Sequence, residues 1–136
     1  MTLAVVSILI LTTSLVSAIE PTVSTISANN ITTNTATLRG SLTDNGTTSE
    51  PVSVYFEYGV VADDLDSTTP TQQMYNTGNF SADISNLTPG TTYYFNAIAI
   101  GDGESAGLTM SFTTQSSLPP QFDGDHPKKN RHERDL

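Results

Sequence analysis

The feature that most constrains this chain is the strict alternation of apolar and polar residues in its short runs. The run TATLRGSL alternates in this way, and its apolar face consists of Ala36, Leu38, Gly40 and Leu42. A period of two residues is that of a β-strand with one face on a core. Similar runs recur about every ten residues between residues 22 and 114, separated by turn-forming residues, which is the spacing of an all-β sandwich or barrel.

The alternation predicts seven strands. They span residues 22–28, 35–42, 52–58, 72–75, 79–87, 93–100 and 108–114. In the last run, the pattern places Leu108, Met110 and Phe112 on the core side. The segment GDGESAG, residues 101–107, is rich in glycine and is predicted to be a hairpin loop.

The charge of the chain excludes some classes of partner. The formal net charge is -9, with 14 acidic residues against 5 basic ones. Four of the basic residues lie in the last nine positions, and before them only Arg39 is basic. Because a phosphate backbone or an anionic membrane is bound through Lys and Arg, we expect no nucleic-acid partner and no binding to a membrane surface. The sequence also contains no cofactor motif, so no cofactor is expected.

The two ends of the chain are predicted to lie outside the folded domain. Residues 1–18 have the apolar run of a signal peptide, with small residues before a cleavage point after Ala18. The alternative is an N-terminal membrane anchor that is retained, although the run is short for a span of about 20 residues. Residues 116–136 are rich in proline and charge and are predicted to be a disordered charged tail. Export implies a secreted or cell-surface protein, and the absence of cysteine means that packing alone must stabilise it.

The segment LTPGTTYYFNAIA, together with SVYFEYG and NFSADISNLTPGTTYYF, resembles the fibronectin type III family. The shared corner motif consists of Leu87, Pro89, Gly90 and Tyr93. The resemblance implies a seven-stranded antiparallel β-sandwich of immunoglobulin-like topology over residues 22–115. It also implies that the hydroxyl of Tyr93 bonds to the main chain a few residues upstream. The family's tryptophan on the second strand is missing, and Leu38 or Gly40 stands in its place.

One sheet face is the predicted interaction surface. In the family's arrangement, the third and sixth strands are neighbours, and their outward residues are Tyr55, Glu57, Tyr94, Ile98 and Ile100. Contiguous exposed apolar and aromatic residues often mark interfaces, and tyrosine also stacks on sugars. A protein or polysaccharide partner at the cell surface is therefore predicted. The alternative is that the two tyrosines are an ordinary cross-strand pair that stabilises the sheet.

Catalysis is not predicted. Both histidines, His126 and His132, lie in the tail, where neither can be held in line with a nucleophile. The remaining candidates are loop acids, namely Asp63, Asp64, Asp66, Asp102 and Glu104. These acids supply oxygen ligands that suit calcium, but they lack the spacing of an EF-hand. We therefore predict no specific metal site and keep a calcium-dependent module only as an alternative.

Four asparagines fit the N-x-[ST] glycosylation pattern. They are Asn30, Asn45, Asn79 and Asn86. In an exported protein these side chains would be candidate glycan acceptors at the surface. A chain rich in Thr, Ser and Asn also produces such triplets by chance, so the pattern alone does not establish modification.

These observations predict a non-catalytic extracellular module with a structural or adhesive role, and a monomeric domain. Such a module would present one face of a β-sandwich to a partner or act as a spacer. The first alternative is a carbohydrate-binding accessory module of a secreted enzyme, since an aromatic face can stack on sugar rings. The second is the calcium-dependent adhesion module.

Overall fold

Nine β-strands make up the regular structure in a computed structural model that describes residues 17–47 and 50–117. The strands are β1 (Thr22–Asn29), β2 (Ala36–Asp44), β3 (Val52–Gly59), β4 (Ser67–Thr68), β5 (Gln72–Met74), β6 (Gly78–Ile84), β7 (Thr92–Ile100), β8 (Glu104–Ala106) and β9 (Met110–Thr113). Within these residues, no helix has the length and apolar character needed to span a bilayer. Most of the predicted signal peptide and of the predicted tail, residues 1–16 and 118–136, lies outside the described residues.

The strands form two antiparallel sheets. The first sheet has the order β1-β2-β6. In the second sheet, β3 and β7 pair at the centre, β4 and β5 pair with successive parts of β3, and β8 and β9 pair with successive parts of β7. The predicted count of seven strands is wrong, because each edge of the second sheet consists of two short strands.

The break between β4 and β5 lies at Pro70. Proline has no backbone N–H, so a strand that meets it loses a donor to the ladder. The preceding residue, Thr69, is buried and bonds twice to Phe56: its N–H donates to the Phe56 carbonyl at 2.9 Å, and its hydroxyl accepts from the Phe56 N–H at 3.0 Å. The Thr69 hydroxyl thus accepts the hydrogen bond of the Phe56 N–H in place of a backbone carbonyl of the interrupted strand.

The break between β8 and β9 lies at Gly107, where β1 crosses close to the second sheet. The hydroxyl of Thr25 on β1 accepts from the Ala97 N–H at 3.0 Å, and the Gly107 N–H donates to the Ala97 carbonyl at 2.8 Å. A Cβ at Gly107 would collide with the Thr25 hydroxyl and backbone. Only glycine therefore fits here, and the edge strand leaves the ladder at this point.

Two predictions fail at this edge. Residues 101–107 were predicted to be a loop, but they contain β8, which pairs with the end of β7. Leu108 was predicted to face the core, but its side chain is 86% exposed. Leu108 is exposed because it lies in the interruption between β8 and β9 and not in a strand that packs on the core. Phe112 keeps its predicted place in the core.

The core lies between the sheets and is built around aromatic rings. The Phe56 ring lies 5.0 Å from that of Phe80 and 6.4 Å from that of Phe95, measured between centroids. The predicted core face of β2 is confirmed, since all four of its members are buried. Gly40 is one of them, and a Cβ there would lie 2.6 Å from the tip of the Phe80 ring. Phe80 thus occupies the space that a large side chain at position 40 would need.

The chain enters and leaves the sandwich at opposite ends. We define the amino pole as residues 19–22, 44–47 and 101–103, because the N–H of Ile19 bonds to Thr47 there. We define the carboxyl pole as residues 30–35, 86–91 and 114–116, because the Gln115 N–H donates to the Thr32 carbonyl there. The antiparallel strands run between the two poles, so the segments before β1 and after β9 are separated by the length of the sandwich.

Candidate functional site

The pairing of β3 with β7 brings the predicted interaction residues together. Tyr55 lies opposite Ile98, and Glu57 and Tyr94 lie on the same side of the two strands. The intervening residues of both strands belong to the core, so this set points away from it. We call the set Tyr55, Glu57, Tyr94, Ile98 and Ile100 the outer face.

One member of the outer face differs from the prediction. Ile98 was predicted to be exposed, but only 2% of its side chain is accessible. Its cross-strand neighbours are Tyr55 on β3 and Ala106 on β8, so it occupies an interior position of the sheet. The prediction is wrong because it treated β8 as a loop, which would have left Ile98 beside an open edge.

The accessible part of the outer face is therefore a smaller patch. Ile100 is 38% exposed, whereas Tyr55, Glu57 and Tyr94 are half-buried. Tyr55 lies directly across from Ile98 on the neighbouring strand, whereas Tyr94 lies four residues before Ile98 on β7, with Asn96 between them on the same face. Half-buried tyrosines expose one ring surface and a hydroxyl, which suits them to contact both apolar and polar groups.

Two carboxylates influence the outer face. The pKa of Tyr55 lies above the usual value for a tyrosine, because burial disfavours the phenolate and because Glu57 and Glu104 repel it. Glu104 had been predicted as a loop acid, but it lies on β8 opposite Ile100. The short run ESA between glycines was the only sequence signal for that strand. In the described part of the chain the single Lys or Arg is Arg39, and it lies in the other sheet.

The corner motif forms a compact turn at the carboxyl pole. The Thr88 N–H donates to the Tyr93 hydroxyl at 3.0 Å. Leu87 is buried, and Gly90 has a φ of 63°, which a side chain would disfavour. The Tyr93 ring stacks on Phe112 with centroids 5.7 Å apart. This geometry is the one that the resemblance implied for Tyr93.

Sequence reasoning missed a second anchor of the corner, Thr114. Its hydroxyl donates to the Thr88 carbonyl at 2.7 Å and accepts from the Thr91 N–H at 2.9 Å. The residue is only 3% exposed. A threonine at the end of the last strand is common in a chain so rich in threonine, so no signal in the sequence distinguished it.

The four glycosylation candidates differ in their surroundings. Asn30, Asn79 and Asn86 are exposed. Asn45 is half-buried, and its side-chain amide donates to the Tyr75 carbonyl at 3.2 Å. Asn45 is therefore the least accessible acceptor of the four.

The acidic residues do not converge on a metal site. Within residues 17–47 and 50–117, no group of three or more His, Cys, Asp or Glu side chains is placed to hold a metal ion. Asp66 accepts a hydrogen bond from Ser67, and Asp102 accepts one from Thr47. The calcium alternative consequently lacks a candidate ligand set among these residues.

A groove of about 450 Å³ lies on the first sheet, away from the outer face. It runs between β2 and β6 near the carboxyl pole. Its one carboxylate, Asp83, accepts a hydrogen bond of 2.6 Å from the Thr37 hydroxyl. The groove lining contains no second acid, base or nucleophile pair of the kind that general acid–base catalysis requires.

The two-sheet arrangement with this corner is the fibronectin type III fold, as predicted. The chain matches no family model and no curated protein by sequence. Among solved structures, it resembles the fibronectin type III domain of human fibronectin type III domain containing protein 3. That similarity has a TM-score of 0.52 and 20% identity, and it covers 81% of this chain and 98% of the other.

The chain is also similar to the sensor domain of the anti-sigma factor RsgI4 in Pseudobacteroides cellulosolvens. The solution structure of that domain gives a TM-score of 0.62 at 15% identity, covering 86% of this chain and 92% of that domain. A shorter form gives a TM-score of 0.61 at 18% identity, covering 71% and 95% respectively. At such identities, the similarity establishes a shared fold.

Proposed function

We propose that this protein is a non-catalytic extracellular module that binds a partner through the outer face. The observation that carries the proposal is that Tyr55 and Tyr94 are half-buried on one face of the β3–β7 pair, with Ile100 exposed on the same face. Tyrosine is enriched at interfaces because it offers a large contact area with a polar tip. The similarity in fold to a sensor domain of an anti-sigma factor supports a recognition role.

The charge around the outer face narrows the class of partner. Glu57 and Glu104 lie close enough to Tyr55 to affect its ionisation, so an anionic ligand would be repelled. A neutral polysaccharide or a protein surface bearing Lys and Arg is compatible with this field. The same argument supports a partner in the cell envelope over nucleic acid or an anionic membrane surface.

A carbohydrate-binding accessory module is the alternative that a specific observation favours. Glu57 lies on the same face of β3 as Tyr55, and the charges of Glu57 and Glu104 both help to raise the pKa of Tyr55. A sugar ring can stack on an aromatic side chain while its hydroxyls donate to carboxylate oxygens. In that case the partner would be a neutral glycan rather than a protein.

A spacer is the second alternative, and the opposite placement of the segments before β1 and after β9 favours it. Ile19 is held at the amino pole and Gln115 at the carboxyl pole. If the chain enters a domain at one pole and leaves it at the other, each such domain adds its full length to a row of linked domains. The extracellular location rests on the predicted signal peptide at residues 1–18, and the exposed Asn30, Asn79 and Asn86 would then be the accessible glycan acceptors.

The test is a pull-down from envelope and polysaccharide fractions of the host. Residues 19–136 are compared with a Tyr55→Ser/Tyr94→Ser/Ile100→Thr variant, in which the buried Ile98 is left intact. A matched control, Tyr75→Ser/Val61→Thr, removes one exposed aromatic and one exposed aliphatic side chain elsewhere. Circular dichroism and thermal melting establish that all three proteins are folded.

The expected result is a bound component that the outer-face variant loses and the control variant retains. Glycan digestion of the bound fraction then separates a polysaccharide partner from a protein partner. Equal binding by all three proteins would contradict the outer face as the site. Absence of binding in every fraction would favour the spacer.

A further inference from the structure

Two hydrogen bonds between Ile19 and Thr47 hold the segment just before β1 at the amino pole, and a third joins Thr47 to Asp102. The Ile19 N–H donates to the Thr47 hydroxyl at 3.0 Å, and the Thr47 N–H donates back to the Ile19 carbonyl at 3.1 Å. The same Thr47 hydroxyl donates to an Asp102 carboxylate oxygen at 2.6 Å. The segment before β1, the loop after β2 and the turn after β7 are thus joined at one point.

The fit at this point is close. Gly46 has a φ of 71°, and a Cβ there would collide with the Ile19 carbonyl oxygen. A Cβ at Gly103 would lie 2.9 Å from a carboxylate oxygen of Glu20. The two glycines allow the chain to pass directly against both loops, so the backbone nitrogen of Ile19 has a defined position.

Among the described residues, the surroundings of this point are acidic and include no basic side chain. Besides Asp102 and Glu20, Asp44 lies at this pole, where it accepts a hydrogen bond from the Gly46 N–H at 2.8 Å. The one Lys or Arg among residues 17–47 and 50–117, Arg39, lies within β2 rather than at its end. A positive charge placed near Asp102 would therefore be attracted by these carboxylates, and no described Lys or Arg would compete with it for them.

We propose that this site receives the α-ammonium group of Ile19 after signal cleavage between Ala18 and Ile19. The proposal rests on the export that the proposed function assumes. The covalent step is hydrolysis by the host's signal peptidase: the Ala18–Ile19 peptide bond breaks, water supplies the hydroxyl of the new Ala18 carboxyl group, and the Ile19 amine takes up protons. The nitrogen that formerly donated one hydrogen then carries three.

The site needs no rearrangement to accept the charged group. The nitrogen of Ile19 already bonds to Thr47, and its separation from the Asp102 carboxylate cannot exceed the length of the two hydrogen bonds laid end to end. At such a separation, an ammonium and a carboxylate attract each other, and hydrogen bonds between charged groups are stronger than neutral ones. Cleavage one residue earlier would leave Ala18 in front and move the ammonium by about 3.8 Å along the chain. Only a chain that begins at Ile19 places its ammonium group at this position.

The experiment compares the stability of chains that differ only at their amino end. Residues 19–136 are prepared with a free Ile19 amine, with an Nα-acetyl group, and with Ala18 retained. Each is made with Asp102 and with Asp102→Asn, and unfolding is followed in denaturant at low and high salt. A matched control, Asp66→Asn, removes an exposed loop acid away from this pole.

The free Ile19 amine is expected to lower the unfolding equilibrium constant about fivefold relative to the acetylated chain, the size of a well-placed surface ion pair. The difference should shrink at high salt and vanish with Asp102→Asn, yet persist with Asp66→Asn. Mass spectrometry of the exported protein should give Ile19 as its first residue. Equal stability of the free and acetylated chains, a difference that survives Asp102→Asn, or another first residue would overturn the proposal. None of these outcomes depends on partner binding. A failure of the ammonium site can therefore be told apart from a failure of the proposed partner binding.

Discussion

The hydroxyl of Tyr93 accepts a hydrogen bond of 3.0 Å from the backbone N–H of Thr88, five residues upstream. The bond closes the turn that contains Pro89 and Gly90 and fixes the start of β7 against the end of the preceding segment. Because the Tyr93 ring is 8% exposed and stacks on Phe112, the hydroxyl has a defined position.

Tyr93→Phe should lower the free energy of unfolding by about 1–3 kcal/mol, because the Thr88 N–H loses its acceptor while the ring packing remains. Chemical denaturation measures the change. Tyr75→Phe is the matched control, since Tyr75 is 73% exposed and should change stability by less than about 0.5 kcal/mol. Equal effects of the two substitutions would contradict a stabilising role for the corner bond.

Thr114→Val tests the second anchor of the corner. The substitution keeps the shape but removes the hydroxyl that bonds to the Thr88 carbonyl and the Thr91 N–H. We expect a loss of about 1–3 kcal/mol, because both groups are partly buried. The neighbouring Thr113→Val, at an exposed position, should have little effect. Hydrogen exchange at the Thr91 amide should accelerate only in the Thr114 variant.

Gly40→Ala tests the packing of the core. The added methyl group would meet the tip of the Phe80 ring at 2.6 Å and Ala97 at 3.1 Å, so the ring must move within a packed interior. Overpacking of this kind costs about 1–3 kcal/mol, measured by denaturation. Phe80→Leu in the same chain should recover part of the loss by vacating the space. If Phe80→Leu does not reduce the loss caused by Gly40→Ala, the close contact between position 40 and the Phe80 ring is contradicted.

The titration of Tyr55 tests the electrostatics of the outer face. Its pKa in the folded protein is raised by burial, Glu57 and Glu104, so the folded state holds the phenolic proton more tightly than the unfolded state. Stability should therefore be unaffected by this group well below the ordinary tyrosine pKa of 10.0 and fall as the pH rises through the folded value. Absorbance titration should show that Glu57→Gln and Glu104→Gln each lower the pKa, whereas Asp66→Asn should leave it unchanged. Tyr55→Phe should remove the titrating absorbance of Tyr55 and so identifies which part of the signal belongs to it.

The alternation of the sequence was sufficient to predict the centre of the sandwich. The core faces of β2, β3 and β7 follow a period of two without interruption, so the side on which each residue lies was predictable. The corner was predictable for a different reason, since Pro89 and Gly90 determine the local backbone before Tyr93 begins the strand. Both features are local in sequence.

The edges of the second sheet were not predictable in this way. At Gly107 the strand leaves its ladder because β1 approaches there, and Thr25 lies far from Gly107 in sequence. A prediction that omits β8 leaves Ile98 exposed, and it extends the last strand back to Leu108, which lies in the break between β8 and β9. Each error thus follows from a contact between segments that are distant in sequence, and a local pattern of residues contains no information about such a contact.

The segments before β1 and after β9 lie at opposite poles, and this placement determines how the domain would respond to a pulling force. Tension applied between the segments before β1 and after β9 would pull β1 at the amino pole and β9 at the carboxyl pole, along the strand axes. Each strand would then have to slide past its partner, β2 or β7, and the hydrogen bonds between them would be loaded together rather than one at a time. Such tension would therefore load the hydrogen bonds in shear, with the corner at Tyr93 beside the point where the force acts on β9.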